Sequence, residues 1–508
     1  MKTTEFYTTI NAHKFFKRLN KHIPCEILSS EYLLKTFYDS FDWRLYQNNL
    51  LAELVRSKNN TFFNLSRLDS HELLTTIKLK DVPKFVDQFE QPQLINLIKP
   101  CLENRALISI ANIDYENYTL GLYNKKSELL LELRFEQYEL INNRIIILSD
   151  DNQDKQLKAI LKTLNQEFNL LSSKDTVLSK VLKAQGRKPM DYSAKFKIEL
   201  DPEQPAYLAC LLIYKQLLKI IRINEQGIIN NIDDEFLHDY RVAIHKTQVG
   251  LKQFKSVFVQ ETIDYFLGFF NQLAHKTNAS RDITIQLDHF YQLQSQLNQE
   301  DQTNLNDYHQ YLLDKQTANH LDLVALLSSA EYLTMLHEWA LFLKQTAVDS
   351  KLLQAQLNVK QLANTRISKT YQHLIEQTQQ IKTLNDESQF HQVRKSCKKL
   401  RYLLEFFQDL YPTKKIKPLI KILKNLQTIL GEHQDLQVQL AELDLYKQQL
   451  NLNQTTPTDL TAIEHLISQI QANYPRIESA FFAAFAELTT PNSKKLVGYL
   501  AKKSACHD

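Results

Sequence analysis

Histidine, arginine and lysine recur at helical spacing in the segment HQVRKSCKKLRYLLEF, residues 391–406. At 100° per residue, one stripe of about 80° collects four of these side chains and is widened by a fifth: His391, Arg394, Lys398, Arg401 and Lys395. The apolar residues of the segment lie on the opposite side. Such a stripe is suited to hold an anion, because guanidinium and ammonium groups supply both positive charge and hydrogen-bond donors.

The positive charge continues beyond this helix with little compensation. Residues 391–424 contain ten Lys or Arg against only Glu405 and Asp409. Four of the cations recur at i, i+3, i+7 and i+10, namely Lys414, Lys417, Lys421 and Lys424. Acids normally intersperse on a solvated helical face, and uncompensated like charges destabilise a helix by a few tenths of a kcal/mol per pair. The pattern therefore favours a surface that a polyanion neutralises over an ordinary solvated surface.

Two smaller basic stripes occur at helical spacing elsewhere. One comprises Arg366, Lys369 and His373. The other comprises Lys215, Lys219 and Arg222. We expect the first to join the anion-binding surface and the second to contribute more weakly.

The basic helix is the second copy of an internal repeat. HDYRVAIHKTQVGLKQF from His238 aligns without gaps with HQVRKSCKKLRYLLEFF from His391, 153 residues later, and the register continues until Asp282 falls on Asp435. The first copy carries its own polar stripe, formed by His238, Arg241, His245, Lys246 and Lys252. Two related helical halves are therefore predicted to pack together, each presenting its copy of the motif.

Composition and periodicity divide the chain into two regions. Only seven of the 508 residues are glycine, which favours long helices over glycine-dependent turns. Residues 1–170 mix alternating runs such as LLLELRFEQYEL with helical segments, so an α+β domain with an antiparallel sheet is expected there. Helical periodicity dominates 203–495, and 171–202 contain the breakers of a linker. The predicted class is mainly α with an α+β N-terminal domain.

Charge, cysteines and hydropathy set the broad class. The net charge of +3 is too small to indicate a polyanion partner without the regional clustering. The cysteines Cys25, Cys101, Cys210, Cys397 and Cys506 are scattered and predict neither a disulfide framework nor a zinc site. The longest apolar runs are far shorter than the roughly 20 residues that cross a bilayer. A cytoplasmic protein without a membrane partner, metal or cofactor is expected.

The two motif helices, with SRDITI and LQTILGEHQDLQV after them, resemble the CHAD domain, a conserved-histidine α-helical domain. The resemblance covers 203–495 and is most specific in the second motif, H-x-x-R-x-x-x-K-K-L-R-Y-x-x-E. It implies two pseudo-symmetric antiparallel helical bundles with a basic groove that binds inorganic polyphosphate, often at polyphosphate granules. Carried over by position, it implies ligand contacts from His238, Arg241, His391, Arg394, Lys398, Lys399 and Arg401.

The first motif departs from this family pattern. His245 and Lys246 stand where it usually has two arginines, and Gln248 replaces another basic residue. The first half of the repeat is therefore expected to bind a ligand more weakly at neutral pH.

The N-terminal region resembles a degenerate CYTH domain. YDSFDWRLYQNNLLAEL at 38–54 is similar to that family's strand beginning Y-x-D-T-x-D, and LSKVLKAQGRK at 178–188 to its S-K-x-x-R-G linker. Catalytic members carry an E-x-E-x-K strand that holds a divalent metal and a triphosphate. TTEFYT retains only Glu5, with Thr3 and Tyr7 at the other positions. Without paired carboxylates the divalent metal lacks its ligands, so no enzymatic activity is expected. Metal-dependent triphosphatase activity is the less favoured alternative.

Other functions are weighed against polyphosphate binding. A metal-dependent phosphohydrolase using His238 and Asp239 is disfavoured because the repeat retains Arg241 and Arg394 instead of further ligands. Nucleic acid is a possible competing ligand, but only Tyr402 at the edge of the stripe could stack on a base. A helical scaffold that binds a protein is the third alternative, and the partner of the N-terminal domain is unknown.

We therefore expect non-catalytic binding of inorganic polyphosphate. Its affinity should fall with salt, because binding releases counterions. It should rise toward about pH 6, because histidines of the stripes would become cationic beside a polyanion.

Overall fold

The structure is a computed structural model and describes residues 2–149, 154–168, 170–171, 175–193, 196–344, 352–381, 387–452 and 457–501. The chain divides between Ala194 and Lys195 into two compact units, which we call the N-terminal unit and the helical unit. The four cysteines in the described residues are free thiols, and Cys506 lies outside that part of the chain. None of the described helices has an apolar stretch sufficient to span a lipid bilayer.

The N-terminal unit is built on an antiparallel sheet of eight strands in the order β1-β8-β7-β6-β2-β3-β4-β5. The strands are Lys2–Thr8 (β1), Cys25–Asp39 (β2), Leu50–Arg56 (β3), Thr61–Arg67 (β4), Leu73–Lys78 (β5), Ile108–Tyr123 (β6), Leu129–Tyr138 (β7) and Asn143–Ser149 (β8). The alternating run in β7 buries Leu131, Leu133 and Phe135 on one face, as a period of two requires. The predicted antiparallel β domain is confirmed.

Helices cover this sheet through three apolar clusters. They are Ala12–Leu19 (α1), Arg44–Gln47 (α2), Pro92–Leu102 (α3), Asp154–Glu167 (α4) and Val177–Ala184 (α5). Helices α1 and α4 pack on the cluster that contains Phe135, and α3 packs on the one that contains Phe63. The third cluster receives α5, whose Val177, Leu178, Val181 and Leu182 are buried against Phe37 and Trp43.

The segment expected to be a linker, 171–202, differs from that expectation. Its helix α5 belongs to the core of the N-terminal unit. Arg187 follows the helix and donates to Asp191 Oδ2 at 2.8 Å and to the Ile110 carbonyl at 3.0 Å, while Trp43 Nε1 donates to Asp191 Oδ1 at 3.0 Å. Glycine and proline in KAQGRKPM mark the end of a packed helix rather than a free tether.

The helical unit contains an exact structural repeat. Its described helices are Ala206–Ile229 (α6), Asp234–Gln253 (α7), Gln260–Gln294 (α8), Gln299–Asn304 (α9), Asn306–Leu327 (α10), Ala330–Phe342 (α11), Leu353–Gln356 (α12), Val359–Gln379 (α13), Glu387–Phe406 (α14), Thr413–Leu452 (α15), Pro457–Gln471 (α16), Tyr474–Thr489 (α17) and Pro491–Ala501 (α18). Helices α13, α14 and α15 begin 153 residues after α6, α7 and α8, which is the offset of the sequence repeat. The predicted pair of pseudo-symmetric helical halves is confirmed.

Reciprocal contacts join the two halves. Ala206 N donates to the Leu357 carbonyl at 2.8 Å, and Val359 N donates to the Gln204 carbonyl at 2.9 Å. Each bond maps onto the other at the repeat offset, as a local twofold axis requires. The equivalent rings of Phe254 and Phe407 also meet, with centroids 5.6 Å apart.

Apolar packing fixes the orientation of the two motif helices α7 and α14. Tyr240, Ile244 and Leu251 are fully buried on α7. The matching face of α14 is buried through Val393, Cys397, Leu400, Leu404 and Phe407. The apolar sides expected from helical phase are therefore confirmed, and the polar stripes are held in place by the core beneath them.

Candidate functional site

Helices α7 and α14 bring together four cations that we call the cation cluster: Arg241, Arg394, Lys398 and Arg401. Burial, together with the positive charges of Arg394, Arg241 and Arg401, lowers the pKa of Lys398 to about 7. Burial likewise lowers the pKa of Arg241 to about 10, with Arg394 acting in the same direction. The predicted stripes of the two repeats thus face one another closely enough to repel.

His245 lies among these cations but is not one of them at neutral pH. Burial lowers its pKa to about 4, and repulsion from Lys398 acts in the same direction. Burial also lowers the pKa of His391, which is exposed at the end of the stripe. The predicted rise in affinity on acidification would therefore depend on Lys398 more than on His245.

Two aspartates at equivalent positions of the repeat adjoin the cluster. Burial raises the pKa of Asp282, while Arg241 and Arg394 oppose that rise. Burial raises the pKa of Asp435 as well, again opposed by Arg394, and the charge of Asp282 adds to the rise. These carboxyl groups offset only part of the positive charge, because the cluster holds four cations.

The arginines of the cluster retain unused donors. Nε of Arg241, Arg394 and Arg401 is buried and has no hydrogen-bond partner among the described residues. Arg241 donates from Nη2 to Asn278 Oδ1 at 2.7 Å, whereas Arg401 lies 3.6 Å from Glu405 Oε1. A buried donor without an acceptor is costly, so these groups are poised to bind an acceptor from outside.

A cavity of about 380 Å³ adjoins the second repeat. It lies between α14 and α15 and is lined by His391, Arg394, Gln434 and apolar groups that include Phe390. His391 Nδ1 lies 3.2 Å from Gln434 Oε1 at its edge. Unfilled space therefore lies directly beside Arg394.

Lys246, a predicted ligand contact, is instead an interior residue. It is 6% exposed, and its Nζ lies 2.8 Å from Glu405 Oε2 and 5.0 Å from the centroid of Phe196. Burial lowers its pKa, and Glu405 acts against that shift. The ion pair and the covering rings leave this ammonium with a structural role. Glu405 also approaches Arg401, as its i, i+4 spacing predicts.

The two positions equivalent to this ion pair at the repeat offset are both occupied by lysine. Lys399 matches Lys246, and Lys252 matches Glu405. Burial lowers the pKa of the partly buried Lys399, and the nearby charge of Lys252 lowers it further. Both lysines therefore remain candidates for an anion contact.

Several of the remaining predicted residues contact other parts of the helical unit. Arg366 donates to Ser256 Oγ at 2.9 Å and to Gln354 Oε1 at 3.2 Å, and Arg222 pairs with Glu225 at 3.7 Å. Lys424 lies close enough to Lys246 to lower its pKa. The others are exposed on their helices: His238, Lys395, Lys369, His373, Lys414, Lys417, Lys421, Lys215 and Lys219.

Sequence reasoning missed polar residues on α8. Asn278 accepts from Arg241, and Arg281 contributes positive charge beside it. Asn278 and Arg281 precede Asp282 by at most one helical turn. The recurrence of Asp282 as Asp435 was the sequence signal that could have pointed to this part of α8.

The N-terminal unit has a different charged site in which every charge is paired. Arg144 on β8 donates from Nε to Glu5 Oε2 at 3.1 Å and from Nη1 to Glu136 Oε2 at 3.2 Å. Lys35 lies 3.7 Å from Glu136 Oε1 and 3.8 Å from Glu53 Oε1. Although burial alone would raise it, Lys35 and Arg144 bring the pKa of Glu136 down to about 2. Glu5, the retained motif carboxylate, is therefore engaged by an arginine.

The aspartates of YDSFD serve the local turn. Asp39 accepts from the backbone amides of Leu45 at 2.8 Å and Tyr46 at 2.9 Å, which begin α2. Burial raises its pKa to about 7. Asp42 approaches Arg105 and Arg44 at 3.3 and 3.1 Å. No group of three or more His, Cys, Asp or Glu suited to a metal ion occurs within the described ranges.

The comparisons with known proteins include solved structures of low sequence identity. One is the CHAD domain of the plant Ricinus communis, with 22% identity, a TM-score of 0.47, and coverage of 58% of this chain and 95% of that one. PptA from Streptomyces chartreusis has 13% identity, a TM-score of 0.46, and coverage of 56% and 100%. A candidate adenylyl cyclase from Hippeastrum, described by its dominant triphosphatase activity, has 11% identity, a TM-score of 0.28, and coverage of 38% and 100%.

The family model gives the assignment. No curated protein matches the sequence. The model of the CHAD domain matches residues 213–444, a range that includes both motif helices and the cation cluster. The helical unit therefore contains a CHAD domain.

Proposed function

We propose that this protein binds inorganic polyphosphate, without catalysis, on the cation cluster. The observation that carries the proposal is the burial of like charges with unused donors: Arg394 and Arg401 each retain a buried Nε without a partner in the described structure. The two non-bridging oxygens of each internal phosphoryl group would bring negative charge to the cluster and accept these hydrogen bonds. The CHAD family assignment supports the same ligand.

The environment of the cluster favours a bare phosphate chain over nucleic acid. Tyr402, the aromatic residue of the stripe, is only 2% exposed and is covered by the core. It cannot offer its face to a base, and stacking on aromatic side chains is a main source of affinity for single strands. Nucleic acid is therefore expected to compete only through its phosphates. A cytoplasmic location, including polyphosphate granules, belongs to the same proposal.

For the N-terminal unit we propose a structural or partner-binding role. Glu5 and Glu136 share Arg144, and Lys35 is held between Glu136 and Glu53. A divalent metal would have to displace these pairs before it found carboxylate ligands.

Replacing Arg394, Lys395, Lys398 and Arg401 together by Ala should weaken binding of long-chain polyphosphate by at least about 100-fold, since each charge-assisted hydrogen bond contributes about 1.5–3 kcal/mol. Titration calorimetry against the wild type measures the loss, and helical circular dichroism checks the fold. A control variant removes the same charge through exposed lysines and should keep most of the affinity: Lys197, Lys344, Lys494 and Lys495 to Ala.

Two outcomes would contradict the proposal. One is the absence of polyphosphate binding by the wild type at micromolar concentration, and the other is single-stranded DNA that binds as tightly as polyphosphate. If the alanine variant unfolds, the variant with Gln at Arg394, Lys395 and Arg401 and Met at Lys398 makes the same test while keeping side-chain volume.

Lys398→Met should raise the free energy of unfolding at neutral pH. The folded-state pKa of about 7 lies below the ordinary lysine value, so the unfolded chain binds the proton more readily and stability falls as pH drops from about 10 to about 7. Met retains the packing and removes that penalty. Urea unfolding across this range measures it; equal pH dependence in both proteins would show that Lys398 is not strained by its neighbours.

Polyphosphate binding should take up protons near neutral pH. At about pH 8 Lys398 is mostly neutral in the free protein, and an adjacent polyanion raises its pKa. Affinity should therefore increase as pH falls from about 8 to about 6, with up to one proton taken up per site. Calorimetry in buffers of different ionisation enthalpy counts the protons. Proton uptake that persists unchanged in Lys398→Met would assign it to another group.

The protein should release no phosphate from tripolyphosphate or ATP when Mg²⁺ or Mn²⁺ is supplied. Glu5, Glu136 and Glu53 are paired to Arg144 and Lys35, so a metal ion would have to displace these pairs before it could activate water there. A phosphate-release assay over hours checks this. Metal-dependent turnover that disappears on Glu5→Gln would refute the non-catalytic assignment.

A further inference from the structure

The two repeats differ at the positions that hold the cation cluster. The second repeat places Arg394, Lys398 and Arg401 of the cluster on α14, and Lys424 lies on the adjoining α15. At the same offset, the first repeat places Arg241, His245, Gln248 and Asn271 on α7 and α8. Only the first of these four positions is cationic in both repeats at neutral pH, so the positive charge of the site is concentrated in one half.

The three substituted residues of the first repeat bond to one another, and we call them the neutral triad: His245, Gln248 and Asn271. His245 Nδ1 lies 2.9 Å from Gln248 Oε1. Gln248 Nε2 donates to Asn271 Oδ1 at 2.9 Å and to the Phe270 carbonyl at 3.1 Å. The triad thus uses its polar groups internally and offers a phosphate chain little charge.

The arginine of the first repeat is also more fully engaged than its counterpart. Arg241 donates to Asn278, whereas Gly431 occupies the equivalent position beside Arg394. A Cβ added at Gly431 would meet nothing within 4 Å. Open space and an unpartnered Nε therefore coincide at Arg394, next to the cavity that this residue shares with His391.

Other cations of the first repeat do not restore the balance. Arg281, which has Gln434 as its equivalent, lies among the charges of Asp234, Asp282 and Asp288. Lys246 is paired with Glu405. Lys252 lies beside Lys399 of the second repeat and so adds its charge to that half.

We infer that the anion-binding site lies in the second repeat and ends at the neutral triad, so that its ligand is a short linear oligophosphate. The inference rests on the proposed function and adds the chain length. A few phosphoryl groups saturate Arg394, Lys398, Arg401 and Lys424, and further groups would pass over the triad or into solvent. A longer chain then gains mainly from the number of segments it offers.

Affinities for tripolyphosphate and long-chain polyphosphate at equal ionic strength test this inference. When the long-chain affinity is expressed per segment of three phosphoryl groups, it should agree with the tripolyphosphate affinity within about tenfold. The reason is that no additional charge-assisted hydrogen bonds form with the longer chain. A long-chain affinity per segment about 100-fold higher would overturn the inference while leaving the proposed function intact. Failure of both ligands to bind would instead refute the proposed function.

Restoring positive charge to the first repeat should extend the anion-binding site into that repeat. The variant His245→Lys, Gln248→Arg and Asn271→Lys should bind long-chain polyphosphate at least about tenfold more tightly, with little change for tripolyphosphate. A control that adds three lysines in the N-terminal unit, at Asn59, Gln93 and Asn142, should change neither. If the triple variant misfolds, the exposed Asn271→Lys alone should shift the length preference in the same direction. Equal gains for both ligands in either variant would overturn the inference.

Discussion

The candidate site depends on the repulsion between cations that the fold forces together. Lys398 and three arginines are held beside one another by helices whose opposite faces are locked into the core through residues such as Leu404 and Phe407. Burial of those apolar faces stabilises each helix by several kcal/mol, which is enough to tolerate a strained ammonium at the surface of the same helix. The core therefore maintains a local excess of positive charge that an isolated helix would not keep.

Equivalent positions of the two repeats show how the charge of such a site becomes unequal between its halves. Lys246 and Lys399 occupy equivalent positions, yet one is neutralised by Glu405 and the other adjoins Lys252. The difference in charge at one equivalent position, Lys252 against Glu405, accounts for this contrast between the two lysines. Because α7 and α14 begin and end at the same offset, this asymmetry between the two motif helices is carried by their side chains.

Much of this could be predicted from the sequence, because helical phase and repeat register are local properties. The apolar faces of both motif helices, the pairing of the halves and the positions of Arg241 and Arg394 followed from them. The interior role of Lys246 could not be predicted, since its partner Glu405 lies far along the chain and sequence cannot place a contact across two helices. The ligand contacts predicted for exposed lysines such as Lys414 stay predictions. The segment 171–202 was mistaken for a linker because its buried face extends over only two turns.

The charged groups of the two units illustrate a physical distinction between structural and binding sites. In the N-terminal unit the neighbours favour the charged forms: the pKa of Glu136 is brought down to about 2, and Glu136 and Glu5 raise the pKa of Arg144 against the effect of burial. In the cation cluster, burial and the neighbouring cations disfavour the charged form of Lys398, whose pKa falls to about 7. A buried network that already satisfies its charges gains nothing from a ligand. A network whose own members repel gains both electrostatic and hydrogen-bond energy when an anion arrives, and this difference in sign is the physical reason for proposing the helical unit as the binding unit.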